Sequence, residues 1–472
     1  MEGMRMAFES LVALGQGLHG LIWGVPLLAL LLGTGVYFSV RTGLFQLRHM
    51  GLWLRKTLLA CLSGAARRTR SAAAVSPFGV MCTALAATVG TGNIAGVATA
   101  LTIGGPGAVF WMWVSAFFGM MTAFAENTLG ILYRERGADG AWRGGPMLYL
   151  KNGLHSPLLA GAFALCCVLA SFGVGNMSQC NSIAGGLAAV FGVPPRVTGL
   201  VTAALLGAAL LGGLRRIACI TQTLVPLMAL FYLGGALAVL WHARAALPQA
   251  VGLIVSGAFD WQAGAGGALG YGMAQAIRIG VSRGAFSNEA GLGSSVMVHA
   301  AADGNEPCEQ GMWAVFEVFF DTIVMCTITA LVLLTSGVYD PLRYAAAAGT
   351  PLFDRLTTGA ALTAQAFSTV FERLGGGFVA VSLALFAFST LLGWSYYGQR
   401  AAEYLFGARA VPVYRALFLA AAVLGCTMRL DLVWALSDAF NGLMALPNLA
   451  GVLALRHEVL REWQRYRRAA QM

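Results

Sequence analysis

The residues best suited to chemistry in this chain sit where chemistry is least expected. The stretch "ATVGTGNIAG" (87–96) sets Thr88, Thr91 and Asn93 among three glycines. It lies inside a segment that otherwise reads as a membrane-spanning helix. Asn93 carries an amide that both donates and accepts, so it can hold both ends of a zwitterion or ligate a cation. Gly forms helix poorly and permits unusual φ/ψ, so such a run can unwind. Unwinding frees N–H and C=O groups, which a membrane tolerates only beside protein or a polar cavity. Freed N–H groups at the start of the second half-helix, its positive dipole end, suit a carboxylate. Freed carbonyls at the end of the first half-helix suit a cation. No Lys, Arg, Asp or Glu lies in the break, which matches a ligand neutral overall or an ion pair brought together by the ligands themselves.

Two other readings of this stretch stay open. "TVGTG" echoes a potassium filter loop, but a filter needs rings of carbonyls from several copies, and one copy is present. Gly92 and Gly96 form a GxxxG pair that would let two helices approach closely. Packing explains the glycines and leaves Thr88, Thr91 and Asn93 unexplained. A nucleotide loop is excluded, because the spacing is G-x-G-x-x-x-G and no strand precedes it.

Further along, Gln179 in "GNMSQCNS" could accept from an ammonium group or bond a neighbouring helix. Trp394 in "LGWSYY" sits mid-span and could lid a small pocket, although Trp is also common at membrane edges. Ser389 and Thr390 offer the hard oxygens that small cations prefer, while back-bonding to helix carbonyls is the commoner fate of such hydroxyls. Intramembrane charges are functional candidates by default. Glu126, Glu317 and Asp321 (four apart on one helix face) and Asp438 could each relay protons. They could also brace gates by pairing with Arg278, Arg283 or freed backbone groups, and bracing is the favoured reading. His19, His49, His155, His242, His299 and His457 show no ligand spacing. No Ser-His-Asp or metal constellation appears, so an enzyme is not expected.

The elements that must position these residues follow from composition. The chain has 472 residues, 58% hydrophobic and 11% charged, against about 25% charged in soluble domains. A bilayer is the natural solvent, and the fold class is an all-α polytopic membrane protein. The net charge of +10 comes from 28 Arg and 2 Lys, set in short stretches between apolar runs. That is a topogenic pattern, and no nucleic-acid partner is expected. Nine Cys, odd in number and without CxxC, imply neither disulfide framework nor metal site. "MEGMRMAFES" lacks the features of a signal peptide.

A span needs about 20 mostly apolar residues. Eleven segments qualify, near 20–40, 78–103, 106–134, 158–190, 197–213, 220–241, 262–282, 309–335, 375–397, 411–428 and 431–455. Residues 41–76 are too basic to span, and "LWLRKTLLACL" (52–62) reads as an interfacial amphipathic helix. The tail 456–472 reads as a charged helix or disordered end on the membrane surface. With 41–76 in the cytoplasm, Lys and Arg divide twenty-three inside to seven outside. The N-terminus is then outside and the C-terminus inside. Setting the first span aside leaves ten, in halves of five. The second span holds the break, and five spans later "GAGGALGYGMAQAIRIGVSRG" (264–284) is also Gly-rich. Because five is odd, the halves insert in opposite orientation, as in inverted-repeat transporters. The expected division is 1–76, a helix plus basic segment; 77–242 and 243–455, the two repeats; and 456–472, a cytoplasmic tail.

At this point the blocks are recognisable. "SPFGVMCTALAATVGTGNIAGVATAL" (76–101), "GGPGAVFWMWVSAFFGMMTAFAE" (104–126), "GGPMLYL" (144–150), "GVSRGAFSNEAGLGSS" (280–295) and "FAFSTLLGWSYYG" (386–398) closely resemble the alanine/glycine:cation symporter family, in consistent order from about residue 20 to 455. The resemblance implies a LeuT-like core of ten helices in two inverted repeats after one extra helix. It implies uptake of alanine or glycine with Na+, the alternatives being H+ coupling or a passive channel or facilitator. It places Thr91, Gly92 and Asn93 in the unwound substrate site, with Gln179 and Trp394 lining it and Ile277 as a weaker match. Ser389 and Thr390, with carbonyls near Thr88 and Val89, match the sodium site. No cofactor beyond the coupling ion, a monomer and an inner (plasma) membrane location are expected. One departure is Val296, where the family pattern carries proline after "GLGSS", and it bears on the helix start there.

Overall fold

The computed structural model describes residues 17, 20, 22–64, 66, 75–137, 140–260, 272–304, 306–428 and 431–471. Among the described residues the regular structure is helical apart from a two-stranded hairpin that pairs Glu135 with Arg143 and an isolated bridge at Val75. Among the described residues six helices are long and apolar enough to span a membrane: Gly107–Leu132, Pro157–Phe191, Gly213–His242, Pro307–Thr335, Arg373–Phe406 and Ala410–Thr427. Two more candidates are bent pairs, and Val25–Arg41 and Pro195–Leu210 are shorter apolar helices. Leu227, Leu230 and Leu237 on Gly213–His242 are more than half exposed. Such a surface requires an apolar solvent.

The first bent pair holds the opening motif. Ser76 caps Pro77–Thr88 by accepting from Gly79 N at 3.1 Å, with Pro77 at the first helical position. The helix stops at Thr88, where the glycines begin, and resumes from Gly92 at an angle of 49°. It restarts as a π-helical turn, Gly92–Gly96. Two more such turns, Gly173–Met177 and Phe319–Cys326, interrupt other spans, and π turns recur at functional sites.

The second interrupted helix is Met273–Asn288. The Gly-rich beginning of the 264–284 run lies in 261–271, outside the described residues. The break that the structure does describe falls later, at 289–295, and the short helix Val296–His299 follows it. Val296 thus begins a helix without the proline of the family pattern. Small residues let this helix approach Gly107–Leu132: a Cβ on Gly284 would lie 3.1 Å from Ser115 Cβ.

The C-terminal segment is helical over Arg456–Ala469 and docks on the protein itself. Trp463 is buried against Phe45 and Phe124, and Arg465 pairs with Glu306 at 2.7 Å. Its apolar face therefore packs against protein through Trp463. The 52–62 region is likewise helical, and Lys56 reaches Glu309 at 2.7 Å. Most of 65–74, with Arg67, Arg68 and Arg70, lies outside the described residues, as do Arg5 and Arg429.

Candidate substrate and cation site

The two breaks meet around one small cavity. It is lined by Thr88, Gly90, Thr91 and Gly92 at the first break, Phe286 and Ser287 at the end of the second interrupted helix, Glu289 of its break, Val174 and Gln179, and Thr390 and Trp394. Its free volume is about 20 Å³, room for little more than a water molecule. The cavity must widen to admit anything larger.

Thr390 sits directly against the first break: a Cβ on Gly90 would collide with Thr390 Oγ1 and lie 3.8 Å from Gln179 Oε1. Glycine at 90 is therefore a matter of close approach. The hydroxyls of Ser389 and Thr390 both donate to Phe386 O, at 2.8 and 3.1 Å. Their oxygens keep acceptor capacity. Val89 caps the end of the first half-helix. Thr88, Val89, Ser389 and Thr390 could thus offer neutral oxygens to a small cation. Among the described residues no three His, Cys, Asp or Glu side chains converge on a metal site.

Gln179 Nε2 donates to Val174 O at 3.0 Å. Its Oε1 is buried without a partner, an acceptor held ready for a donor. Trp394 packs onto the π turn at Gly175, where a Cβ would lie 2.5 Å from the Trp394 side chain. Its indole Nε1 donates to Glu289 Oε1 at 2.9 Å.

Asn93 bonds to both interrupted helices. It does not line the cavity; it is fully buried behind the break. Its Oδ1 accepts from Gly90 N at 2.9 Å. Its Nδ2 donates to Asp321 Oδ1 at 2.7 Å and to Ser287 Oγ at 3.3 Å. The amide therefore closes the first break locally and ties it to the second interrupted helix and to the span Pro307–Thr335. Ile277 is partly buried on Met273–Asn288, nine residues before Phe286, and does not line the cavity.

The second break is held from outside. Glu289, Gly291 and Gly293 have φ of 57°, 93° and 76°, a region that favours glycine. Gly291 N donates to Glu126 Oε2 at 3.4 Å, and Asn448 Nδ2 donates to Gly291 O at 2.9 Å. Asn448 also donates to Glu126 and accepts from Tyr149. Glu289 accepts from Ser294 as well as from Trp394.

No carboxylate lies within 87–96, yet folding brings carboxylates to it. Asp321 accepts from Asn93, Ser287 and Thr322. Glu317 accepts from His299 at 2.9 Å. Asp438 lies within electrostatic reach of Arg283, whereas Glu126, Glu317 and Asp321 take amides, hydroxyls, backbone N–H and His299 as partners. Glu289, Ser287 and His299 were not singled out by motif. The signal available was "SNEAGLGSS", a second cluster of glycines and small polar residues.

Both ends of the interrupted helices are covered. Thr363 donates to Ile94 O at 3.2 Å and Tyr339 to Leu101 O at 2.7 Å. At the opposite end Arg134 donates to the carbonyls of Ala300, Ala302 and Gly304 at 3.2, 2.7 and 2.7 Å. Burial pushes its guanidinium down to about 10, so it is still a cation at neutral pH.

A helical membrane protein whose interrupted helices enclose a polar cavity far from both ends has the construction of a secondary transporter. The sodium:alanine symporter family model matches residues 8–472. A sodium/alanine symporter, AgcS, from Methanococcus maripaludis is 43% identical over 97% of each chain. A probable sodium/glutamine symporter, GlnT, from Bacillus subtilis is 36% identical over 99% of this chain and 93% of that one. The chain belongs to the sodium:alanine symporter family. A solved Na+-coupled sialic acid symporter, substrate-bound and outward-open, aligns with a TM-score of 0.52 at 15% identity, covering 93% of this chain and 86% of that one; this likeness concerns the fold alone.

Proposed function

We propose that the protein is a sodium-coupled symporter that carries small neutral amino acids, alanine or glycine, into the cell by alternating access. One observation carries the reading. Thr88, Gly90, Thr91 and Gly92 at the first break, the acceptor Oε1 of Gln179 and the carboxylate of Glu289 converge on one small cavity. The unwound backbone suits the substrate carboxylate. Gln179 and Glu289 suit its ammonium group. Thr91 and Gly92 line the substrate site, Trp394 lids it, and Asn93 and Ile277 support it from behind. Thr88, Val89, Ser389 and Thr390 hold the sodium ion. The names of the relatives support sodium and amino acids as ligands.

The architecture that goes with this reading is eleven spans, a LeuT-like pair of five-helix repeats (77–242 and 243–455) after one extra helix. The protein works as a monomer in the inner membrane, N-terminus outside and C-terminus inside. The contacts of Thr363 and Tyr339 are then external, and Arg134 is internal. Each inward positive charge gains about 2.3 kcal/mol per 100 mV of inside-negative potential. Substrate and sodium should strengthen each other's binding, because coupling is reciprocal.

The test is alanine binding to purified protein in Na+, K+ and choline media at two pH values. Tighter binding in Na+ at both pH values is expected. Equal affinity in all three media overturns sodium coupling, and dependence on pH alone moves the assignment to protons. Accumulation against a gradient in liposomes separates a symporter from a passive channel.

A further inference from the structure

A second cavity lies beside the 300–304 segment that Arg134 holds. Its free volume is about 400 Å³, against about 20 Å³ between the breaks. Four arginines line it: Arg136 of the hairpin, Arg215 of Gly213–His242, Arg400 of Arg373–Phe406 and Arg415 of Ala410–Thr427. Asp303 is the one carboxylate among the described lining residues.

Arginines at the ends of spans have an ordinary explanation, since they set topology. That suffices for Arg216, which does not line the cavity. It does not explain why four separate elements bring an arginine to one space. Like charges gathered in a cleft repel one another and focus a field that attracts an anion.

The protein's own carboxylates leave that field standing. Arg400 Nη1 pairs with Glu403 at 2.7 Å, but Glu403 is shared with Arg143 at 2.6 Å. Among the described residues no carboxylate forms an ion pair with Arg136, Arg215 or Arg415. Arg415 Nε donates to Gln399 Oε1 at 2.8 Å, a neutral partner that orients the guanidinium without cancelling its charge. The Arg400 side chain is 13% exposed, and its Nε is buried without a hydrogen bond. Two rings in the cavity wall hold guanidinium faces: Arg136 lies over Trp142 at 4.7 Å and Arg400 over Tyr396 at 5.3 Å. A guanidinium held by its face keeps its N–H edge for an oxyanion.

We propose that this cavity binds a phosphate group, with Arg136, Arg215, Arg400 and Arg415 as its donors. Arginine grips phosphate through paired N–H···O bonds, and basic pockets between membrane helices take phospholipid head groups. Four cations exceed what a single carboxylate balances, whereas a phosphate brings up to two charges and several acceptor oxygens. Val75 and Asp303 also line the cavity and are joined by Asp303 N donating to Val75 O at 2.9 Å. A bound phosphate therefore braces the same end that Arg134 closes. The site does not depend on which substrate is carried.

The experiment uses purified full-length protein and two probes. Radiolabelled inorganic phosphate is measured by equilibrium binding, and retention of phosphatidylglycerol over phosphatidylethanolamine by native mass spectrometry. Arg215→Gln and Arg415→Gln should each weaken binding about tenfold, the scale of one bond to a charged group. Arg216→Gln, next in the chain but outside the cavity, should leave it unchanged. Arg136→Gln, on the exposed hairpin, serves where a span variant does not fold. Inorganic phosphate bound by the wild type and weakened in these variants supports a free anion as the occupant. Phosphatidylglycerol retained by the wild type and lost in the same variants, without binding of inorganic phosphate, supports a lipid head group. Binding of neither probe, binding unchanged in all the cavity variants, or an equal loss in Arg216→Gln overturns the site.

Discussion

The two breaks that meet at the cavity are built on opposite plans. The first, at Val89–Thr91, is closed by its own sequence: Asn93 reaches back three residues to accept from Gly90 N. It contains no charge. The second, at 289–295, is longer, begins on a carboxylate, and passes through three left-handed residues. Its backbone is satisfied by Glu126 and Asn448, which lie 165 and 157 positions away from Gly291 in the chain. The same Asn93 then ties this locally closed break across to Ser287 and Asp321. A break clamped by other helices is coupled to them, so a change at Asn448 or Trp394 should be felt in the pocket.

Asn93→Ala is the most severe way to test that contrast. It strips partners from Gly90 N, Ser287 and Asp321 together, and a loss of about 3 kcal/mol should lower sodium-driven alanine uptake in liposomes roughly a hundredfold. Uptake at the wild-type rate would mean that the first break does not depend on its own asparagine. Asn448→Ala attacks the other plan. It leaves Glu126 and Gly291 O short of a donor, about 2–3 kcal/mol, visible as a lower melting temperature with weaker alanine binding. Adding Glu126→Gln should recover part of the stability, because the unpaired charge is then gone; no recovery would mean that the clamp is not electrostatic. Trp394→Phe keeps the ring but removes the bond to Glu289, and alanine should bind roughly tenfold more weakly. The smallest effect is expected from Ile277→Val, which shortens a side chain outside the cavity. A change beyond about twofold in alanine affinity, a scale of a few tenths of a kcal/mol, would place Ile277 in the pocket after all.

Much of this was legible because membranes leave few choices. Long apolar runs must be helices, and Thr88–Asn93 stood out as polar, Gly-rich residues inside one of them. The second break was harder to find, for a physical reason. Of the Gly-rich run at 264–284, residues 264–271 lie outside the described residues; the described helix runs from Met273 to Asn288, and the chain opens at "EAGLGSS" beyond it. Glycine lowers the cost of unwinding but does not choose where it happens; the partners that satisfy the freed groups choose. Those partners, Glu126 and Asn448, are invisible in a local window. The docked tail had the same cause. Arg456–Ala469 reads as an amphipathic surface helix, and only the pocket formed by Phe45 and Phe124 determines that protein covers Trp463.

By itself, then, the sequence determined the solvent, the helical class, the position of the first break and the oxygens around it. These are properties of single segments, set by hydropathy, glycine content and side-chain type. The tertiary structure alone decided that the chain opens at 289–295 with Glu126 and Asn448 as its partners, that Asn93 bonds Asp321, and that Glu317 bonds His299. Each of those depends on which buried polar group finds a partner across helices, and burial makes an unmet group costly enough to decide the arrangement.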